Sequence, residues 1–187
     1  PNLKLGVEMR RTLLLFLLGL TSLVGCNGED FVLEAGEHGG SRARVHRGTE
    51  LAFLAVFDDS AIYETQDPTN QGDINKLYGF SDCSSHHHQN SARFGWRWFD
   101  GELQIFAYTY ANGTRAWALV GTADFDAANH YRIEMDGAEY VFTLDDNPAV
   151  RMPRGCAGNG GVKYRLFPYF GGDETAPHDI TIHIEVE

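Results

Sequence analysis

The chain has 187 residues, of which 43% are hydrophobic and 22% are charged, as expected of a globular protein with a substantial core. Its 26 acidic residues outnumber the 15 basic ones and give a net charge of −11 at pH 7. This charge disfavours a nucleic acid partner, because the phosphate backbone is bound through an excess of Lys and Arg.

The first element in the chain is a predicted export signal. Pro1–Glu8 lie upstream of a basic start at Met9, and Thr12–Val24 is an apolar run too short to span a bilayer. The run ends in Leu23-Val24-Gly25-Cys26, which resembles the bacterial lipobox. The resemblance implies that Cys26 is lipidated and that the protein is exported and lipid-anchored in the bacterial cell envelope. An ordinary signal followed by a chance cysteine is the alternative.

These features predict three regions in the chain. Residues 1–26 are upstream residues plus the lipoprotein signal, residues 27–30 are a short tether, and residues 31–187 are a single domain. The acidic pair Glu29-Asp30 resembles the stretch that follows the lipidated cysteine in surface lipoproteins of the Bacteroidetes group. This resemblance favours the outer membrane, with the lipid as the expected contact with the membrane.

The remaining chain is a succession of short strand patterns separated by turn signals, with no sustained helical period. Asp58–Asp73 and Asp145–Gly161 are predicted to be irregular. The predicted strands are Phe31–Ala35, Arg42–Arg47, Glu50–Phe57, Leu77–Phe80, Ser91–Phe99, Leu103–Tyr110, Arg115–Thr122, His130–Met135, Glu139–Leu144, Val162–Phe170 and Ile180–Val186.

A central hairpin over residues 91–110 is rich in aromatic residues. Alternation along Ser91–Phe99 places Phe94, Trp96 and Trp98 on the core face and the two arginines of the strand on the other. An Asp-Gly turn at Asp100-Gly101 leads into the returning strand. There we assign Leu103, Ile105, Ala107 and Thr109 to the core, which leaves Gln104, Phe106, Tyr108 and Tyr110 beside the arginines.

The three cysteines divide into one for the lipid and a pair. With Cys26 modified, Cys83 and Cys156 are predicted to form a disulfide in the oxidising compartment outside the cytoplasm. A metal site that uses Cys83 with nearby histidines is the alternative.

The pattern from about Phe53 to Val186 resembles concanavalin A-like (laminin G-like) jelly rolls. The stretches that carry the resemblance are ARFGWRWFDGELQIFAYTYANGTR, HYRIEMDGAEYVFTL and YRLFPYFGGDETAPHDITIHIEV. The resemblance implies an all-β fold, a jelly-roll β-sandwich of two antiparallel sheets, with a glycan groove on the concave face of one sheet.

On this basis we predict a non-catalytic protein that binds polysaccharide or surface glycan, in particular an acidic polysaccharide that carries carboxylates. Arginine suits carboxylates through two parallel hydrogen bonds, and aromatic rings stack on sugar faces. An ordinary solvated sheet face is the alternative. The predicted ligand-binding residues are His88, Arg93, Arg97, Gln104, Tyr108, Tyr110, Lys163, Arg165 and Tyr169.

Two further functions stay open, a small polysaccharide lyase and a structural subunit of a surface assembly. In a lyase, Tyr108 or His88 would take the proton next to a uronate carboxylate that Arg93 or Gln104 neutralises. The chain lacks the Gln-Ile-His and Tyr-Phe-Lys-Ala-Gly motifs of alginate-lyase jelly rolls. It also lacks the Glu-x-Asp-x-x-Glu arrangement that a glycoside hydrolase of this fold would need.

Metal binding is the remaining question that the sequence raises, and no other cofactor is expected. Consecutive residues of a strand point to opposite sides, so His86, His87 and His88 would share one metal ion only in an irregular loop. A calcium site is possible at Asp58, Asp59 and Asp179, although no EF-hand spacing supports it.

Overall fold

The computed structural model describes residues 28–40 and 42–187, so the predicted signal segment and Cys26 lie outside the described residues. In the described part, twelve strands form two six-stranded sheets in which neighbouring strands are antiparallel. Sheet A has the order β1 (Glu29–Leu33), β12 (Ile180–Val186), β3 (Glu50–Phe57), β8 (Asn129–Asp136), β9 (Glu139–Leu144) and β10 (Val150–Pro153). Sheet B has the order β2 (Val45–His46), β11 (Lys163–Leu166), β4 (Asn75–Ser81), β5 (Ser91–Phe99), β6 (Glu102–Ala111) and β7 (Thr114–Ala123). The predicted all-β sandwich of two antiparallel sheets is confirmed.

The predicted tether and one segment predicted to be irregular both contribute residues to strands. β1 begins at Glu29 and pairs with β12, so the end of the predicted tether already belongs to sheet A. β10 lies within a segment predicted to be irregular and pairs with β9 at the edge of the sheet. Pro153 weakens the strand pattern there, and an edge strand tolerates it because one of its sides needs no donor.

The helical segments of the described residues are two single-turn 3-10 helices, Asp59–Ala61 and Pro68–Asn70. No helix among the described residues has the length and apolar character needed to cross a membrane.

The core between the sheets is rich in aromatic rings. The ring centroid of Phe94 in β5 lies 5.0 Å from that of Tyr131 and 5.2 Å from that of Phe142, and both contacts are edge-to-face. Tyr131 and Phe142 belong to sheet A. Trp96 is fully buried against Phe57, at 5.2 Å between ring centroids. Burying a side chain of this size contributes about 1.5–3 kcal/mol, so these contacts fix which face of β5 points inward.

A β-bulge in β4 sets the side chains at the middle of sheet B. Lys76 pairs with Gly95, but the next pair in register is Gly79 with Arg93, so β4 has one extra residue. Leu77 and Tyr78 both point into the core as a result, with 0% and 1% exposure. Lys76 therefore lies on the outer face of sheet B, on the same side as Arg93.

One end of the sandwich is held by a buried ion pair and a disulfide. Arg154 Nε lies 2.6 Å from Asp82 Oδ2, and both side chains are fully buried. Tyr140 donates a further hydrogen bond to the same carboxylate oxygen, at 2.9 Å. Next to this pair, Cys83 and Cys156 form the predicted disulfide. The loop from residue 82 to residue 90 is therefore tied to the segment that follows β10.

Candidate functional site

The outer face of sheet B carries a groove with a volume of about 640 Å³. We call this cavity the groove. Its lining combines several cationic side chains, four tyrosines and one carboxylate. The lining side chains that matter for chemistry are Arg42, Lys76, His86, His87, His88, Arg93, Tyr108, Tyr110, Arg115, Tyr164, Arg165, Tyr169 and Asp173.

Arg93 lies at the floor of the groove. Its side chain comes from β5 and is only 7% exposed, and its guanidinium carbon lies 5.6 Å from the centre of the Tyr108 ring. Burial lowers the pKa of Arg93. Among the described residues, Nε of Arg93 has no hydrogen-bond partner and the guanidinium forms no ion pair. A buried guanidinium without a protein partner retains its full capacity to bind an anion.

Lys76 is a second cation close to the Tyr108 ring. Its Nζ atom is 4.8 Å from the ring centre and donates to the backbone oxygen of Ile74. Burial, together with the nearby charges of Arg93 and Arg115, lowers the pKa of Lys76 to about 8. Burial and the neighbouring Tyr110 raise the pKa of Tyr108. The groove floor thus concentrates positive charge around one tyrosine.

The three consecutive histidines stand together at the rim of the groove. The ring centroids of His86 and His87 are 4.2 Å apart, and those of His87 and His88 are 4.4 Å apart. Nδ1 of His87 lies 3.0 Å from the hydroxyl oxygen of Tyr164, and the His88 ring lies 5.3 Å from that of Tyr110. Burial and the nearby Arg93 lower the pKa of His87 to about 4, and burial also lowers the pKa of His88. Both imidazoles are therefore neutral at pH 7.

The outer face continues from the groove onto the edge strand β7. Trp117 is 50% exposed and pairs across the strands with Tyr108, and the guanidinium carbon of Arg115 lies 5.2 Å from the Trp117 ring. A smaller cavity of about 150 Å³ joins Trp117 to Lys76 and Tyr108. An exposed indole beside cationic side chains offers a flat apolar surface next to an anion site.

Six of the predicted ligand-binding residues line the groove together: His88, Arg93, Tyr108, Tyr110, Arg165 and Tyr169. Arg97 and Gln104 do not, because they bond to each other at 2.8 Å. Arg97 also donates to the backbone oxygen of Gly72, at 2.6 Å. The predicted lyase set of His88, Arg93, Tyr108 and Gln104 is accordingly divided, with Gln104 outside the groove.

The predicted orientation of β11 is wrong. Lys163 pairs with His46 and Arg165 pairs with Phe80, so both side chains lie on the inner face of sheet B. Lys163 is 4% exposed, donates to the backbone oxygen of Asn159 and does not line the groove. The Arg165 guanidinium lies over the buried Tyr78 ring and still lines the groove. The strand ends at Leu166, and its phase is set by pairing with β4 rather than by its own apolar residues.

On the outer face of sheet B, sequence reasoning missed Lys76, Arg115 and Tyr164 in the groove and Trp117 beside it. Arg115 and Trp117 had a usable signal, because a two-residue turn at Asn112-Gly113 pairs Tyr110 with Arg115 and Tyr108 with Trp117. Lys76 and Tyr164 had no such signal in the sequence, because the side of sheet B on which each side chain lies depends on the β4 bulge and on pairing between distant strands.

The three aspartates of the predicted calcium site have separate local contacts. Asp58 accepts from the backbone N–H of Ser60, and Asp179 accepts from that of Ala35. None of the three belongs to a cluster of three or more His, Cys, Asp or Glu ligand atoms within 4.8 Å among the described residues. The calcium site stays a prediction without support from this geometry.

The groove also lacks the carboxylate pair of a glycoside hydrolase. Asp173 is the one carboxylate among its lining residues in the described part of the chain. Glu134 lies on sheet A, where it pairs with Arg132 at 3.0 Å. Hydrolysis through an acid and a nucleophile or base needs two carboxylates that face each other, and the groove does not supply them.

Comparison with solved structures gives jelly-roll proteins at low sequence identity. The alginate lyase from Klebsiella pneumoniae has a TM-score of 0.56 and 9% identity over 74% of this chain and 58% of that one. The alginate lyase AlyC3 has a TM-score of 0.56 and 11% identity over 86% and 74%. The GH16 protein of the Bacteroides ovatus mixed linkage glucan PUL, in complex with a G4G4G3G product, has a TM-score of 0.51 and 10% identity over 84% and 80%.

These likenesses confirm the predicted jelly-roll fold class and, at such identities, show the fold alone. The chain spans 58% of the length of the Klebsiella alginate lyase. No protein-family model matches the chain, and comparison with curated proteins gives no match.

Proposed function

We propose that this protein binds an acidic polysaccharide in the groove without cleaving it. The observation that carries the proposal is the buried Arg93, which has no ion-pair partner among the described residues and lies beside Lys76 in a protein of net charge −11. A buried cation is expensive to desolvate unless an anion compensates it. A carboxylate or sulfate group on a sugar supplies that anion, and Tyr108, Tyr169 and Trp117 offer surfaces for sugar rings.

The proposal includes the location of the protein. We place it outside the cytoplasm, anchored through a lipid on Cys26 in the bacterial cell envelope, most simply at the outer membrane. The lipid would be its contact with the membrane, and the sheet B groove its contact with glycan.

A lyase is the second candidate function, and one observation favours it. Lys76, with a pKa of about 8, lies 4.8 Å from the Tyr108 ring and close to Arg93. Beta-elimination at a uronate requires a base with a pKa near neutrality, a tyrosine and a cation. The base removes the C5 proton, the tyrosine protonates the leaving oxygen, and the cation neutralises the carboxylate.

Incubating the purified protein with uronate-containing, sulfated and neutral polysaccharides separates these functions. A binder is retained on the acidic polysaccharides and produces no ultraviolet absorbance of unsaturated uronate. Appearance of that absorbance, and its loss in Lys76→Met, would establish the lyase instead. A protein that is neither retained on any acidic polysaccharide nor able to produce that absorbance would overturn both and leave a structural subunit of a surface assembly.

A further inference from the structure

We propose that His86, His87 and His88 form a binding site for a divalent transition-metal ion at the rim of the groove. One ligand nitrogen from each ring lies within 4.8 Å of the other two. Neutral imidazole is a preferred ligand of Zn²⁺, Cu²⁺ and Ni²⁺, and three such ligands are sufficient for a site that keeps an open position.

The local backbone explains how three consecutive histidines meet. In a strand His87 would point away from its two neighbours. Here Cys83 and Ser84 have positive φ angles of 56° and 53°, and the chain then turns, with the Gln89 N–H donating to the His86 carbonyl at 2.7 Å. The turn keeps all three rings on one side of the loop.

This loop is held in place before any metal binds. The Cys83–Cys156 disulfide and the buried Asp82–Arg154 ion pair fix its beginning. Ser91 fixes its end, donating from Oγ to the His87 carbonyl at 2.7 Å. Ligands that are already positioned lose little conformational entropy on binding, so the site is more than a flexible run of histidines.

Tyr164 gives His87 the supporting contact that metal-bound histidines usually have. Its hydroxyl oxygen accepts the backbone N–H of His87 at 3.0 Å and lies 3.0 Å from Nδ1 of the same residue. When Nδ1–H donates to this oxygen, Nε2 keeps its lone pair for a metal ion. Partners of this kind orient the ring and commonly change metal affinity 10–100-fold.

A metal ion at the three histidines would share the groove with Arg93. No carboxylate forms an ion pair with any of the three histidines among the described residues. A metal ion near Arg93 and Lys76 is therefore favoured most when an anion lies between them. This second step rests on the proposed function: the metal and Arg93 would hold the same carboxylate or sulfate of the glycan.

The test is a calorimetric titration of the full chain with Zn²⁺ alone. We expect one Zn²⁺ per chain, with affinity at least tenfold lower in His86→Asn/His88→Asn and about 10–100-fold lower in Tyr164→Phe. The matched control is His130→Asn/His183→Asn, which removes two imidazoles that pair with Glu187 and Asp30 outside the groove, and it should bind Zn²⁺ as the parent does.

The proposal is overturned if the parent binds no Zn²⁺, or if the control loses Zn²⁺ while the His86/His88 variant keeps it. NMR of the parent supplies a second measurement that needs no variant: Zn²⁺ should shift the His86–His88 imidazole signals before those of His130 and His183. Glycan retention measured separately in EDTA tests the proposed function, so either idea can fail without the other.

Discussion

Two arginines on the same face of β5 differ in what surrounds them. Arg97 donates to Gln104 and to the Gly72 carbonyl, and its guanidinium lies 4.9 Å from the Phe106 ring. Arg93 makes no such bond from Nε to any described residue, although it is more deeply buried. Arg97 therefore stabilises the fold, whereas Arg93 is available to a ligand.

Arg93→Met keeps most of the side-chain volume and removes the charge. We expect it to weaken binding of an acidic glycan by about 1.5–3 kcal/mol, the value of a charge-assisted hydrogen bond, with no fall in melting temperature. Calorimetry and thermal melting measure the two effects. Arg97→Met is the matched control and should show the reverse, a lower melting temperature with a smaller effect on binding. Loss of cooperative melting in Arg93→Met would mean that this guanidinium supports the fold.

His46 is a buried imidazole that makes the stability of the fold depend on pH. It stacks on Phe80 at 4.5 Å, is 3% exposed, and neither ring nitrogen has a hydrogen-bond partner among the described residues. Burial, and then the charges of Arg165 and Lys163, lower its pKa from 6.5 to about 4, with Asp82 opposing them. Between these pH values the unfolded chain binds a proton that the folded chain does not, so stability falls as pH decreases from 6.5 to about 4.

His46→Phe should remove this loss and preserve the stacking. We expect the variant to be more stable by about 1–3 kcal/mol at pH 7, because two buried nitrogens no longer lack partners. Its stability should also depend less on pH between 6.5 and 4. Denaturant unfolding at several pH values measures both. A His46→Phe variant that keeps the parental pH dependence would contradict the assignment.

At the scale of strands, the sequence predicted the hairpins and failed at pairings between distant strands. β3, β5, β9 and β12 have their predicted bounds, because alternation and Asp-Gly turns are local signals. The faces of β5 and β6 were correct for the same reason. The extra residue in β4 and the phase of β11 depend on long-range pairing, so Lys76 was missed and Lys163 was placed on the wrong side.

The connection between β10 and the loop at residues 82–90, which carries the three histidines, is another long-range feature. Arg154 donates to Asp82, to Gly137 and to Gly158, so its five donors are largely used within the protein. Burial alone would raise the pKa of Asp82, but the hydrogen bonds from Arg154, Cys83 and Tyr140 lower it. This contribution to stability is present above the ordinary aspartate pKa of about 3.9 and is lost as pH falls through the lowered value.

Arg154→Met should destabilise the protein strongly, by about 3–5 kcal/mol, because it leaves the buried Asp82 carboxylate without its ion-pair partner. Denaturant unfolding at pH 7 measures the loss. Adding Asp82→Asn to Arg154→Met should recover part of it, since the buried charge is then gone. Equal losses in the single and double variants would show that the ion pair is not the reason for the destabilisation.

At the scale of the whole molecule, the lipid anchor is a prediction that can be checked in cells. The Leu23–Cys26 motif leads us to expect that Cys26→Ser moves the protein from the membrane fraction to a soluble fraction, because the modified sulfur is absent. Fractionation with and without detergent measures this change. Cys83→Ser/Cys156→Ser is the control, since it removes the disulfide and leaves the anchor. A Cys26→Ser protein that still requires detergent would contradict lipidation at this residue.

The charge of the whole molecule and the charge of the groove have opposite signs, and salt separates their effects. At roughly 0.01 M salt the Debye length is about 30 Å, so an approaching polyanion is repelled by the net charge of −11. At roughly 0.15 M it is about 8 Å, and contact with Lys76, Arg93 and Arg115 is then the main interaction felt. The association rate for an acidic oligosaccharide should therefore rise between these concentrations, whereas binding to a basic protein weakens. Stopped-flow measurements on the parent and Arg93→Met should show the same rise, with faster dissociation in the variant. A rate that falls steadily with salt would mean that the groove already dominates the field at long range.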